Sequence, residues 1–90
     1  MTDQTQAASI LSHGEQDVAG HLRTDPEATP ASIAEALGDT EEAVRQSIDR
    51  IRGKTARAFA TLAQSPFTAE VAAELDPALR RELLDLLQEE

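Results

Sequence analysis

Only two of the ninety residues are aromatic, Phe59 and Phe67, so any core this chain forms is assembled from Leu, Ile, Val and many small Ala side chains. Such a set suits closely packed helices and lacks the aromatic content that strands favour. No segment alternates apolar and polar residues, and no Asn-Gly or Asp-Gly pair marks a hairpin. The chain is therefore read as all-α: a small helical bundle with a three-helix core plus C-terminal helices. At this length it forms one small domain, burying only about 60% of its unfolded surface.

Caps and apolar spacing place the helices. Ser12 followed three residues later by Glu15 is a capping-box pattern, with Leu11 before it as a staple, and predicts a helix from about His13 to Arg23 that turns Val18 and Leu22 inward. Thr29 and Pro30 restart a helix in the preferred order of cap and first-turn proline. Ile33, Ala34 and Leu37 form its inward stripe, and Gly38 ends it. Asp39 or Thr40 caps a third helix, along which Val44, Ile48 and Ile51 recur at spacings of four and three. Gly53 is read as its end. A fourth helix over "TARAFATLA" then turns Phe59 and Leu62 inward, Ser65-Pro66 stops it and caps the next, and Asp76-Pro77 opens the last.

A short helix, a glycine turn and a longer helix are the parts of a helix-turn-helix. Ala34 sits where the two helices cross closely, Gly38 supplies a left-handed turn, and Leu37, Val44 and Ile48 lock the second helix at its angle. The recognition helix is expected over about 40–53, with Glu42, Arg45, Gln46 and Asp49 as base-reading residues, because arginine suits guanine edges, glutamine adenine, and carboxylates the cytosine amino group. The same residues also stand four apart in pairs that suit an ordinary solvated helix face. Charge distribution bears on the choice. Residues 1–40 hold seven acids and one base, residues 41–57 three acids and five bases, and residues 58–90 seven acids and two bases. The one basic window thus coincides with the expected recognition helix. Arg50, Arg52, Lys54 and Arg57 become candidates for phosphate contacts, with the amides near Thr29 and Ser32 at the start of the second helix as another.

The stretches "LSHGEQDVAGHL" and "SIAEALGDTEEAVRQSIDRIRGK" resemble the DNA-binding domain of LuxR-type regulators and the related region 4 of sigma factors. Leu11, Ser12, Glu15 and Val18 match the opening helix of that family's pattern; Ile33, Ala34, Leu37, Gly38, Val44, Ile51 and Lys54 match its helix-turn-helix. The likeness covers about residues 11–63 and departs at Asp39, Ser47 and Thr55. It implies a small transcriptional regulator acting on double-stranded DNA.

These signals divide the chain into a disordered tail over 1–8, a helix-turn-helix domain over 9–64 and a helical hairpin over 65–90. In the hairpin, Leu79, Leu83, Leu86 and Leu87, widened by Leu84, form a stripe that closes the domain's own core, pairs two copies as a homodimer, or docks another protein. The last of these defines a second function class, an acidic helical adaptor that keeps the scaffold without binding DNA.

Other chemistries find little purchase. His13 and His21 lie about 80° apart on a helix and form no two-ligand metal face. The four glycines are isolated, so no phosphate-cradling loop exists, and no serine stands in a nucleophile context. Neither an enzyme, a metal nor a cofactor is expected. The absence of cysteine, of a basic-then-apolar leader and of a long apolar run fits a cytoplasmic protein without a membrane partner. The preference for Arg over Lys fits either a high-GC genome or a salt-rich cytoplasm, and the net charge of −9 with a single Lys favours the halophilic reading.

Overall fold

The computed structural model describes residues 9–88, so the expected tail over 1–8 lies outside the described residues. Five helices and no strand occur among them: α1 (His13–Thr24), α2 (Pro30–Leu37), α3 (Glu41–Gln64), α4 (Thr68–Ala73) and α5 (Pro77–Gln88). The chain is all-α, as its sequence predicts. It divides into two compact units, one over Ile10–Ala60 and one that holds the described residues from Thr61 onward.

The first unit is built by its caps. The Ser12 hydroxyl accepts from the Glu15 amide at 3.2 Å while the Glu15 carboxylate accepts from the Ser12 amide at 3.0 Å, closing the capping box of α1. Four residues into the helix, a staple would need an apolar partner for Leu11, but Gln16 stands there. Its side-chain amide donates instead to the Leu11 carbonyl at 2.9 Å. At α2 the Thr29 hydroxyl accepts from the Ser32 amide and the Ser32 hydroxyl from the Thr29 amide, both at 3.1 Å. Gly38 then ends α2 at φ 71, ψ 37, the left-handed conformation that a side chain would strain. Of the two candidate caps for α3, Thr40 takes the role. Its hydroxyl accepts from the Ala43 amide at 3.1 Å, and the Asp39 carboxylate accepts from the Thr40 amide at 2.8 Å.

Val18 of α1, Ile33 and Ala34 of α2 and Val44 of α3 form the buried core, with Leu22, Ala28, Ile48 and Ile51 packed against it. Two charged residues extend these stripes inward. Glu15 precedes Val18 by one turn on α1, and Lys54 follows Ile51 by one turn on α3. The Lys54 ammonium donates to the Glu15 carboxylate at 2.6 Å and to the Ile10 carbonyl at 3.1 Å, with side-chain exposures of 23% for Lys54 and 5% for Glu15.

Several expectations are corrected. Gly53 does not end the third helix: α3 runs unbroken from Glu41 to Gln64, through the segment expected to form a separate fourth helix. Glycine costs about 1 kcal/mol relative to alanine inside a helix, which the Ala, Arg and Leu residues around it outweigh, and it ends a helix only when it turns left-handed. Gly53 does not do so. Leu37 is 40% exposed at the last turn of α2 and stands outside the core cluster. Phe59 and Leu62, expected inward, are about half exposed at 50% and 52%. Ser65 does not cap α4. Its hydroxyl accepts from the Phe67 amide at 3.0 Å, and Phe67 holds the cap position without a side-chain bond. The Thr68 hydroxyl donates back to the Leu62 carbonyl at 2.6 Å, tying the turn to the end of α3.

None of the residues from Thr61 to Gln88 is buried. The leucine stripe of α5 therefore does not close a core; its members Leu79, Leu83, Leu86 and Leu87 range from 42% to 61% exposed.

A pair of glycine substitutions tests the continuity of α3. A Cβ at Gly53 meets nothing within 4 Å and its backbone is not left-handed, so Gly53→Ala should stabilise the chain by about 0.5–1 kcal/mol. Gly38→Ala should destabilise it by about 1 kcal/mol, since φ is +71 there. Urea unfolding of both variants reads the contrast; destabilisation by Gly53→Ala would mean that the helix breaks there.

Candidate nucleic-acid interface

The inner face of α3 is fixed by Val44, Ile48, Ile51 and Lys54, which leaves the residues a half-turn away on the outside. Glu42, Gln46 and Asp49 occupy the centre of that outer arc; Arg50 stands on one flank, a turn before Lys54, and Arg45 and Arg52, seven apart, share the opposite flank. All six are exposed, as is Arg57 further along the same helix. The structure therefore brings the four expected base-reading residues and three of the expected phosphate-binding arginines onto one helix.

Two of the base-reading candidates are held by neighbours one turn earlier. Arg45 pairs with Glu41 in an ion pair whose side chains are 58% and 46% exposed, and the Gln46 amide donates to the Glu42 carboxylate at 3.4 Å. Such exposed pairs are worth about 0.3–0.5 kcal/mol, little enough to be exchanged for a ligand. The side chains of Arg50 and Arg52 make no hydrogen bond or ion pair among the described residues.

The remaining phosphate candidates fare differently. Lys54 points into the domain, with its ammonium held by Glu15 and the Ile10 carbonyl, so it does not serve as an outward cation. Nor are the side chains of Thr29 and Ser32 open, since they satisfy each other and the Ser32 hydroxyl also donates to the Thr29 carbonyl at 3.0 Å. Pro30 has no N–H and the Ser32 N–H is taken by the cap. The Ala31 amide is the one in this first turn that the cap does not occupy.

The Lys54 role is the feature that sequence reasoning missed. Its signal was present: Glu15 and Lys54 each continue an apolar stripe at spacing three, one acid and one base at positions facing a core. Which of them meet is a tertiary fact, with thirty-nine residues between the partners.

No group of three or more His, Cys, Asp or Glu among the described residues is placed to hold a metal ion, and no helix there is long and apolar enough to cross a membrane. No family model matches the sequence, and no curated protein or solved structure is significantly similar to it.

The Glu15–Lys54 pair carries a pH dependence. The Lys54 ammonium, then the Ser12 amide, hold the Glu15 carboxyl below its ordinary value of 4.5, against the opposing effect of burial. A carboxyl depressed in the folded state contributes stability above the unfolded value and loses it as pH falls through the folded one. Stability should therefore decline below about pH 4.5 in the wild type and decline less in Glu15→Gln, read as urea midpoints across pH 3 to 7. Parallel curves for the two proteins would remove the pair from the account.

Proposed function

We propose that the Ile10–Ala60 unit is a helix-turn-helix that binds double-stranded DNA with α3 in the major groove, making the protein a small sequence-specific transcriptional regulator. One observation carries this reading. The only basic stretch of an acidic chain lies on a helix whose inner face is locked to the core and whose outer face presents arginine, glutamine and carboxylate side chains. The resemblance of residues 11–63 to LuxR-type and sigma region 4 domains supports the same assignment.

In this reading Arg45 and Gln46, released from Glu41 and Glu42, address guanine and adenine edges, and Glu42 and Asp49 accept from cytosine. Arg50, Arg52 and Arg57 face phosphates on either side of the groove, and the Ala31 amide at the start of α2 offers one further contact. The acid of the chain lies mostly outside this surface: with Lys54 paired to Glu15, the outward-facing charges of residues 41–57 sum to +1 against −9 for the whole. That contrast aligns the molecule with its basic side toward the duplex.

A second reading, an acidic helical adaptor that binds protein and not DNA, is favoured by one observation, the exposure of the α5 leucines. Fluorescence polarisation on mixed genomic DNA fragments at several salt concentrations separates the two. The wild type should bind with a salt-dependent affinity, and Arg50→Ala with Arg52→Ala should lose affinity on all sequences and flatten the salt slope by about two. Gln46→Ala should instead change sequence preference at a cost of about 1–3 kcal/mol. Absence of binding at every salt concentration would overturn the DNA reading in favour of the adaptor.

A further inference from the structure

One oxygen of the Glu15 carboxylate serves two helices at once. It accepts from the Ser12 amide at 3.0 Å, closing the capping box of α1, and from the Lys54 ammonium of α3 at 2.6 Å. Lys54 also donates to the Ile10 carbonyl at 3.1 Å. A lysine on its flexible stem is a loose tether when its acceptor is free to move. Here the capping box holds the carboxylate in place, so the ammonium is fixed between two acceptors at the start of α1.

The rest of α3 has few restraints of comparable direction. Val44 is its one buried residue, and Ile48 and Ile51 pack against the core while only partly buried. Lys54 stands about 15 Å along the helix beyond Val44. Pivoting α3 by about 10° at Val44 would displace the backbone by about 0.3 Å at Arg45, about 1.3 Å at Asp49 and about 2 Å at Arg52. Long arginine side chains absorb such a shift and still reach phosphates, which carry no sequence information. The short carboxylate of Asp49 does not absorb it, because a contact to a base edge has to meet hydrogen-bond geometry.

We infer that Lys54 and Glu15 are positioning residues for sequence choice: without touching the duplex, they hold the far half of the reading segment so that Asp49 meets its base edge. This role rests on the DNA reading of α3 and adds that specificity is set partly from the inward side of the helix.

Fluorescence polarisation of the full chain on the duplex that the wild type selects, against duplexes with single base changes, measures discrimination. Glu15→Gln combined with Lys54→Met leaves no uncompensated charge and keeps the capping box, where glutamine serves as glutamate does. Circular dichroism and urea unfolding check that this double variant is folded. It should lose about tenfold in discrimination at the base where Asp49→Ala also loses it, while its affinity for unrelated DNA changes by less than about threefold. Adding Asp49→Ala to it should cost no further discrimination, a coupling that general loosening of the fold does not produce. Lys54→Arg, which can still donate to Glu15, should behave as the wild type, and Glu15→Gln alone should show the same loss in smaller measure. Equal loss on every duplex, with the salt slope lower by about one, would make Lys54 a phosphate contact and overturn the proposal. Undiminished discrimination in the folded variants, or losses that add to that of Asp49→Ala, would overturn it as well. A wild type that binds no duplex at all would instead bring down the DNA reading itself, and this role with it.

Discussion

The contact between Lys54 and Glu15 joins the two ends of the Ile10–Ala60 unit, and the rest of that unit depends on it. Glu15 closes the capping box that starts α1, and the same carboxylate receives the ammonium from α3. With four buried apolar residues, the core is too small to fix helix orientation by volume alone. The ion pair adds direction. By tethering α3 one turn beyond Ile51, it sets the rotation of the helix, and thereby which side chains face outward. Removing either partner leaves the other poorly solvated without its counter-charge, which is why such pairs are costly to break from one side.

What the sequence made legible was local. The caps at Ser12 and Thr29, the first-turn prolines and the left-handed Gly38 were readable because each rests on residues within four positions of one another. Gly53 misled because glycine has two meanings in a helix, a stop when left-handed and a tolerated residue otherwise, and the flanking residues do not distinguish them. Leu37, Phe59 and Leu62 misled for another reason. Periodicity shows that a face is apolar and not whether anything covers it. Lys54 was assigned to phosphate because it shares a basic window with Arg50, Arg52 and Arg57; its position on the inward stripe was the better guide.

Placing Lys54 inside also sharpens the functional account. The outward cations of α3 are all arginines, side chains that offer planar, multiple donors to phosphates and guanine edges. The carboxylates interleaved with them, Glu41 and Glu42, hold Arg45 and Gln46 in weak exposed pairs. In the proposed reading these pairs keep the reading side chains ordered when DNA is absent, and exchange at low cost when it is present.

The most direct test of the central claim is a heteronuclear NMR titration of the chain with a duplex selected for binding, following backbone amides and arginine side-chain signals. The account predicts that the largest shifts fall on Glu42 to Arg52 and on Ala31, while Lys54 and Glu15 stay in place. Shifts concentrated on Leu79 to Leu87 with an unmoved α3, or no shift at saturating duplex, would contradict it.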